Sequence, residues 1–135
     1  MNYAHTITVA LPYEEAVAKV REELGNQGFG VLTEIDVHAT FETKLGSESA
    51  NTLGDYLILG ACNPVLAEQA LTADPDMGLL LPCNIVIRRE PSAKVTTVQA
   101  INAQTMAQLS NAAEIQNVAD QADAHLLAAL SAVET

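Results

Sequence analysis

Between about Gln104 and Val133, the residues Met106, Leu109, Ala113, Ile115, Val118, Ala122, Leu126, Leu130 and Val133 recur mostly three and four positions apart. That spacing predicts a long helical region with a single apolar stripe, and such a stripe has to lie on another apolar surface. Asn111 falls inside this region and marks a kink or a break between two helices.

The rest of the chain supplies the surface. Tyr3, His5, Ile7 and Val9 alternate with Ala4, Thr6 and Thr8, which predicts a strand over about 3–10 with one buried face. Pro12 opens a helix in which Ala16, Val17, Val20 and Leu24 share a side, closed near Gly25 and Gly28. A second strand is expected from Phe29 to Val37, with Phe29, Val31, Thr33, Ile35 and Val37 on one face and Leu32, Glu34 and Asp36 on the other. A short helix follows over Ala39–Leu45, and the Ser-, Asn- and Gly-rich stretch Gly46–Gly54 reads as a loop. Asp55–Ala61 is an apolar strand, and Asn63-Pro64 starts a helix that Asp74-Pro75-Asp76 ends. In the apolar run Leu79–Ile87, Pro82 lacks the N–H of an inner ladder and favours a strand start, an edge or a bulge. A turn around Pro91 and Ser92 leads to a last strand from Val95 to Ile101. The expectation is a single α+β domain over residues 1–135, with a mostly antiparallel sheet carrying helices on one face.

Charge narrows the partners. With 17 acidic against 6 basic residues, the net charge is -11, and the positives form no cluster. Nucleic acid and anionic membrane surfaces both need concentrated positive charge and are therefore not expected partners. No run approaches the roughly 18 apolar residues of a membrane span, and the first residues lack the pattern of a secretory signal, so the expected location is cytoplasmic. The two cysteines are then expected to be reduced thiols.

Those cysteines give the only constellation with chemical content, the dipeptides Cys62-Asn63 and Cys83-Asn84. Cys62 precedes a helix N-terminus, where free N–H groups and the helix dipole stabilise a thiolate. Antiparallel strands bring the two sulfurs to the same end of the sheet, whereas a parallel crossover separates them. Packing is an equally good use of both, because free cysteine is among the most buried residue types. Their spacing matches neither a CxxC nor a zinc-finger pattern. His5, His38 and His125 are expected on a strand face, at a helix start and on the terminal helix, each with an ordinary structural role.

The blocks Gly28–Val37, Leu59-Gly60-Ala61-Cys62-Asn63-Pro64 and Gly78–Asn84, taken together and in this order, resemble the bacterial and archaeal domain of unknown function 302 family. The resemblance spans about 3–110 and leaves 111–135 as a helical extension, with a longer loop than the family pattern around Ser47–Asn51. It implies a TATA-binding-protein-like fold and homodimers, and it implies no reaction. Three functional expectations stand side by side. The first is a noncatalytic module that binds a small ligand or a metal ion near Cys62, Asn63, Cys83 and Asn84, with the two cysteines as metal ligands. The second is a redox protein in which Cys62 reacts and Cys83 resolves. The third is a structural subunit that dimerises through its sheet or its long helix.

Overall fold

The computed structural model describes residues 2–135. In chain order the elements are β1 (Ala4–Val9), α1 (Tyr13–Asn26), β2 (Gly30–Asp36), α2 (Val37–Leu45), α3 (Ser47–Leu53), β3 (Asp55–Cys62) and α4 (Pro64–Ala73). A 3-10 helix over Pro75–Leu80 leads to β4 (Cys83–Arg89) and β5 (Thr96–Ile101), and α5 (Gln104–Leu109) and α6 (Glu114–Glu134) complete the chain. The strands form one sheet in the order β1-β5-β4-β3-β2, and every neighbouring pair is antiparallel.

Strand alternation divides the side chains between two faces. Leu57, Leu59 and Ala61 of β3, Cys83, Ile85 and Ile87 of β4, and Val98 and Ala100 of β5 fall on one face, and all are buried. On this side α1 lays down Ala16, Val20 and Leu24, α4 Leu66 and Ala70, α5 Met106, and α6 the stripe Ile115, Val118, Ala122, Leu126, Leu130 and Val133. Fully burying a Leu, Ile or Val side chain contributes about 1.5–3 kcal/mol, so this layer holds most of the stability. Asp123 of α6 pins the layer to the sheet, accepting from His5 Nε2 at 2.8 Å and from the Ala103 N–H at 3.1 Å. The expected fold class is therefore observed, and so is the break near Asn111. There Ser110 Oγ accepts from the Ala112 N–H at 3.2 Å, satisfying a backbone group that the break frees, and donates to Asp74 at 2.6 Å.

Three local expectations are corrected. Val31 is opposite Ala61 but Thr33 is opposite Gly60, a bulge that leaves Leu32 without a partner. Val31 therefore joins the helix side, while Thr33 and Ile35 switch to the other face, because one extra residue inverts the alternation beyond it. The expected loop Gly46–Gly54 contains the two-turn helix α3, set off by Gly46 (φ +99°) and Gly54 (φ +82°) and anchored by the buried Ala50. At Gly54 a Cβ would come within 2.5 Å of the Arg89 carbonyl oxygen, so the close turn into β3 needs glycine. Finally, Leu79 and Leu80 belong to the 3-10 helix, and β4 starts only after Pro82.

Candidate functional site

The β3–β4 ladder decides where the two cysteines stand. Ala61 is opposite Cys83, so Cys62 lies one residue further along, beside Pro82, at the same end of the sheet. The backbones are adjacent; the pleat sends Cys83 to the helix side with Ala61 and Ile85, and Cys62 stands next to it as the last residue of β3. Cys83 is buried and Cys62 is half-buried. Burial, with smaller contributions from nearby Cys62 and Asp123, pushes the Cys83 thiol from an ordinary 9.0 up to about 11. It therefore keeps its proton at neutral pH and is a poor nucleophile there, since the thiolate is the attacking form.

Both cysteines border a cleft between the sheet and α4, α5 and α6, walled by Phe29, Leu66, Ala70, Met106 and Val118. Its enclosed part measures about 30 Å³, room for one water-sized group and far below the roughly 300–1,000 Å³ of small-molecule sites. Among the described residues, no group of three or more His, Cys, Asp or Glu side chains is placed to hold a metal ion. The donors at this end are two thiols, whereas a structural zinc takes four ligands.

The two asparagines are spent differently. Asn63 is the N-cap of α4, its side-chain oxygen accepting from the Leu66 N–H at 3.4 Å, a use the sequence context already allowed. Asn84 is exposed on the opposite face from Cys83. There it borders a shallow groove of about 280 Å³ with Tyr3, Tyr56, Val86, Gln99 and Ile101.

This open face is unusual for a surface strand layer. In a sheet with one solvated face the outward positions are normally polar, yet here the inner strands carry Tyr56, Ile58, Val86 and Ile101, with Ile35 beside them on β2. No acidic residue within the five strands points this way, because Glu34, Asp36 and Asp55 all fall on the helix side. The nearest charges are Arg88, which donates to Gln99 at 3.4 Å, and Glu90 just beyond β4, which Arg88 pairs with. None of these groove residues except Asn84 stands out in the sequence. The available signal is the unbroken apolar run Ile85-Val86-Ile87, where a strand solvated on one face should interpose a polar residue.

The remaining expected candidates have structural partners. His38 Nδ1 donates to the Gly54 carbonyl at 2.8 Å and His125 Nδ1 bonds Gln27 Oε1 at 3.0 Å. Arg89 turns inward and donates to the Leu11 carbonyl at 3.1 Å and Thr96 Oγ1 at 3.0 Å.

A search of curated proteins finds no match. A solved structure of an uncharacterized conserved protein DUF302 from Bacillus stearothermophilus superimposes with a TM-score of 0.85 over 98% of both chains, at 23% sequence identity, a likeness of fold alone. The model of the family described as Domain of unknown function DUF302 matches residues 5–133, taking in the terminal helix that the sequence set apart as an extension. The chain thus belongs to the DUF302 family.

Proposed function

We propose that this protein is a noncatalytic binding module whose working surface is the open face of its sheet, with the groove around Asn84 receiving the flat apolar part of a small uncharged ligand. One observation carries this reading: the inner strands present Tyr56, Ile58, Val86 and Ile101 outward while keeping every strand carboxylate on the other side. Apolar side chains with a few convergent amides, here Asn84 and Gln99, are the usual composition of a ligand surface. Freedom from negative charge matters in a chain of net charge -11, since it lowers the desolvation cost of covering that face.

The reading moves the site from the cysteine end to the opposite side of β4. Neither the dithiol nor the metal version is favoured, because Cys83 holds its proton at neutral pH and, among the described residues, no group of three or more metal-ligating side chains gathers there. A TATA-binding-protein-like arrangement agrees with the one-sided antiparallel sheet, and it brings no DNA binding with it, since function resides in sites and this protein lacks clustered positive charge. A cytoplasmic setting suits two unpaired thiols.

Chemical-shift mapping tests the proposal, with p-cresol and indole as uncharged aromatic probes. Amides of Tyr56, Asn84, Val86, Gln99 and Ile101 are expected to shift together and saturably. Shifts concentrated on Phe29, Leu66 and Met106 would return the site to the cleft, and the absence of any saturable shift would contradict a ligand surface altogether.

A further inference from the structure

The lysines and arginines of this chain leave two long stretches without a single one, 45–87 and 95–135. Those stretches contain α4, the 3-10 helix, α5 and α6, so this part of the helical layer has carboxylates on its outer side and no basic side chain except His125, which bonds Gln27 at 3.0 Å. Several of the carboxylates are occupied. Asp74 accepts from Ser110 at 2.6 Å, Asp120 from Gln104 and Gln116 at 2.9 Å, and Asp123 from His5 at 2.8 Å.

Between α4 and α6 runs an open groove of about 640 Å³. Ala73 and the buried Val118 give it an apolar lining, the amides of Gln69 and Asn117 border it, and each helix sets one carboxylate on it, Glu68 from α4 and Glu114 from α6. Among the described residues neither of these two carboxylates has an ion-pair partner. Apolar side chains extend the groove at both ends. Val65, 65% exposed, stands three and four residues before Glu68 and Gln69 and so shares their stripe on α4. At the other end of α4, the bond from Ser110 to Asp74 brings in Leu109, 66% exposed.

We propose that this groove docks a basic amphipathic helix of a partner protein, its lysines or arginines meeting Glu68 and Glu114 and its apolar side chains covering Val65, Ala73 and Leu109. Charge selects that occupant, because the chain brings no cation of its own to the two carboxylates. Lys19 and Arg21 belong to α1, which also packs on α6, but Arg21 pairs with Glu34 at 2.8 Å, and Lys19 lines a separate groove with Glu134, about 30 Å along α6 from Glu114. A second copy, itself at net charge -11 and without a basic cluster, is repelled. Glu114 lies in the first turn of α6, where the helix dipole offsets part of its charge, whereas Glu68 in mid-helix has no such offset and is the stronger contact. The surface is on the helix side, and the inference stands independently of any ligand on the open face.

Titration of the isotope-labelled full chain at physiological ionic strength tests it, with a synthetic peptide that repeats leucine and lysine at helical spacing as the probe. Saturable shifts are expected on the amides of Glu68, Gln69, Asn117 and Val118. Glu68→Gln combined with Glu114→Gln should weaken binding about tenfold. The charge-matched pair Glu42→Gln with Glu48→Gln, both exposed on α2 and α3, should leave affinity within about twofold. Val65→Ser, which changes no charge, should weaken it about threefold. Equal weakening by the two charge pairs would reduce the effect to general attraction and overturn the proposal. So would spermidine binding as tightly as the peptide, which would make the groove a site for small polycations, or shifts confined to the open face, or no saturable shift. A wild-type chain that self-associates and is split by the Glu68 and Glu114 substitutions would give the groove to a second copy and overturn it as well.

Discussion

Cys83 and Asn84 are consecutive residues with opposite surroundings, and the difference between them is the difference between the two faces of the sheet. Cys83 points into a layer built by α1, α4, α5 and α6, where burial holds its proton. Asn84 points to a face those helices leave uncovered, beside Tyr56 and Val86. One face spends its apolar residues on stability, and the other keeps comparable residues unspent. The conspicuous thiol of Cys83 thus marks the structural side, and bland apolar residues mark the uncovered one.

Truncation should separate the faces most strongly. Leu59→Ala removes a fully buried side chain on the helix side and is expected to cost about 2–5 kcal/mol in denaturant unfolding. Val86→Ala on the open face should cost about 1 kcal/mol or less. Equal losses would mean that both faces are core.

Alkaline titration sharpens the account of Cys83. Below pH 9 the folded and unfolded chains both hold its proton; between the ordinary 9.0 and about 11 only the unfolded chain releases it. Stability should therefore fall across that window, by up to about 2–3 kcal/mol, and Cys83→Ala should flatten that part of the curve. Tyr13, pushed up to about 12 by burial and by Asp36 and Asp55, adds a further loss in the same direction above pH 10. In native protein, iodoacetamide is expected to label Cys62 and to reach Cys83 only on unfolding.

A smaller effect is expected at Gly60, where a Cβ would meet Thr33 Oγ1 and come within 2.8 Å of the Pro82 ring. Gly60→Ala should cost about 1–3 kcal/mol through overpacking, and no loss would show that Pro82 moves easily. The two asparagines should differ least but cleanly. Asn63→Ala loses the α4 cap and about 1 kcal/mol, whereas Asn84→Ala should stay within about 0.5 kcal/mol. Together the pair tests whether the repeated Cys-Asn dipeptide has one role or two.

Much of the fold was legible because periodicity reports burial directly. The stripe from Met106 to Val133, the alternation of β1 and the Asn63-Pro64 helix start each follow from side-chain spacing, and each is present. The bulge at Leu32 was not legible, because Val31, Thr33 and Ile35 alternate in sequence whether or not the backbone does. The helix α3 was hidden by the weak helix formers Ser47, Ser49, Asn51 and Thr52, and its limits depend on two glycines at positive φ that equally suit a loop. At the candidate site, the proximity of Cys62 and Cys83 followed once the ladder was antiparallel, but their unequal burial depends on register. The open-face groove draws single residues from strands far apart in the chain, so no local pattern announces it.

A paired titration reaches the central claim most directly: p-cresol binding to wild-type protein, Val86→Asp and Cys62→Ser, read by fluorescence or by NMR. The account predicts that Val86→Asp loses binding and that Cys62→Ser keeps the wild-type affinity. Binding abolished by Cys62→Ser and untouched by Val86→Asp would place the working surface back at the thiol end and contradict it.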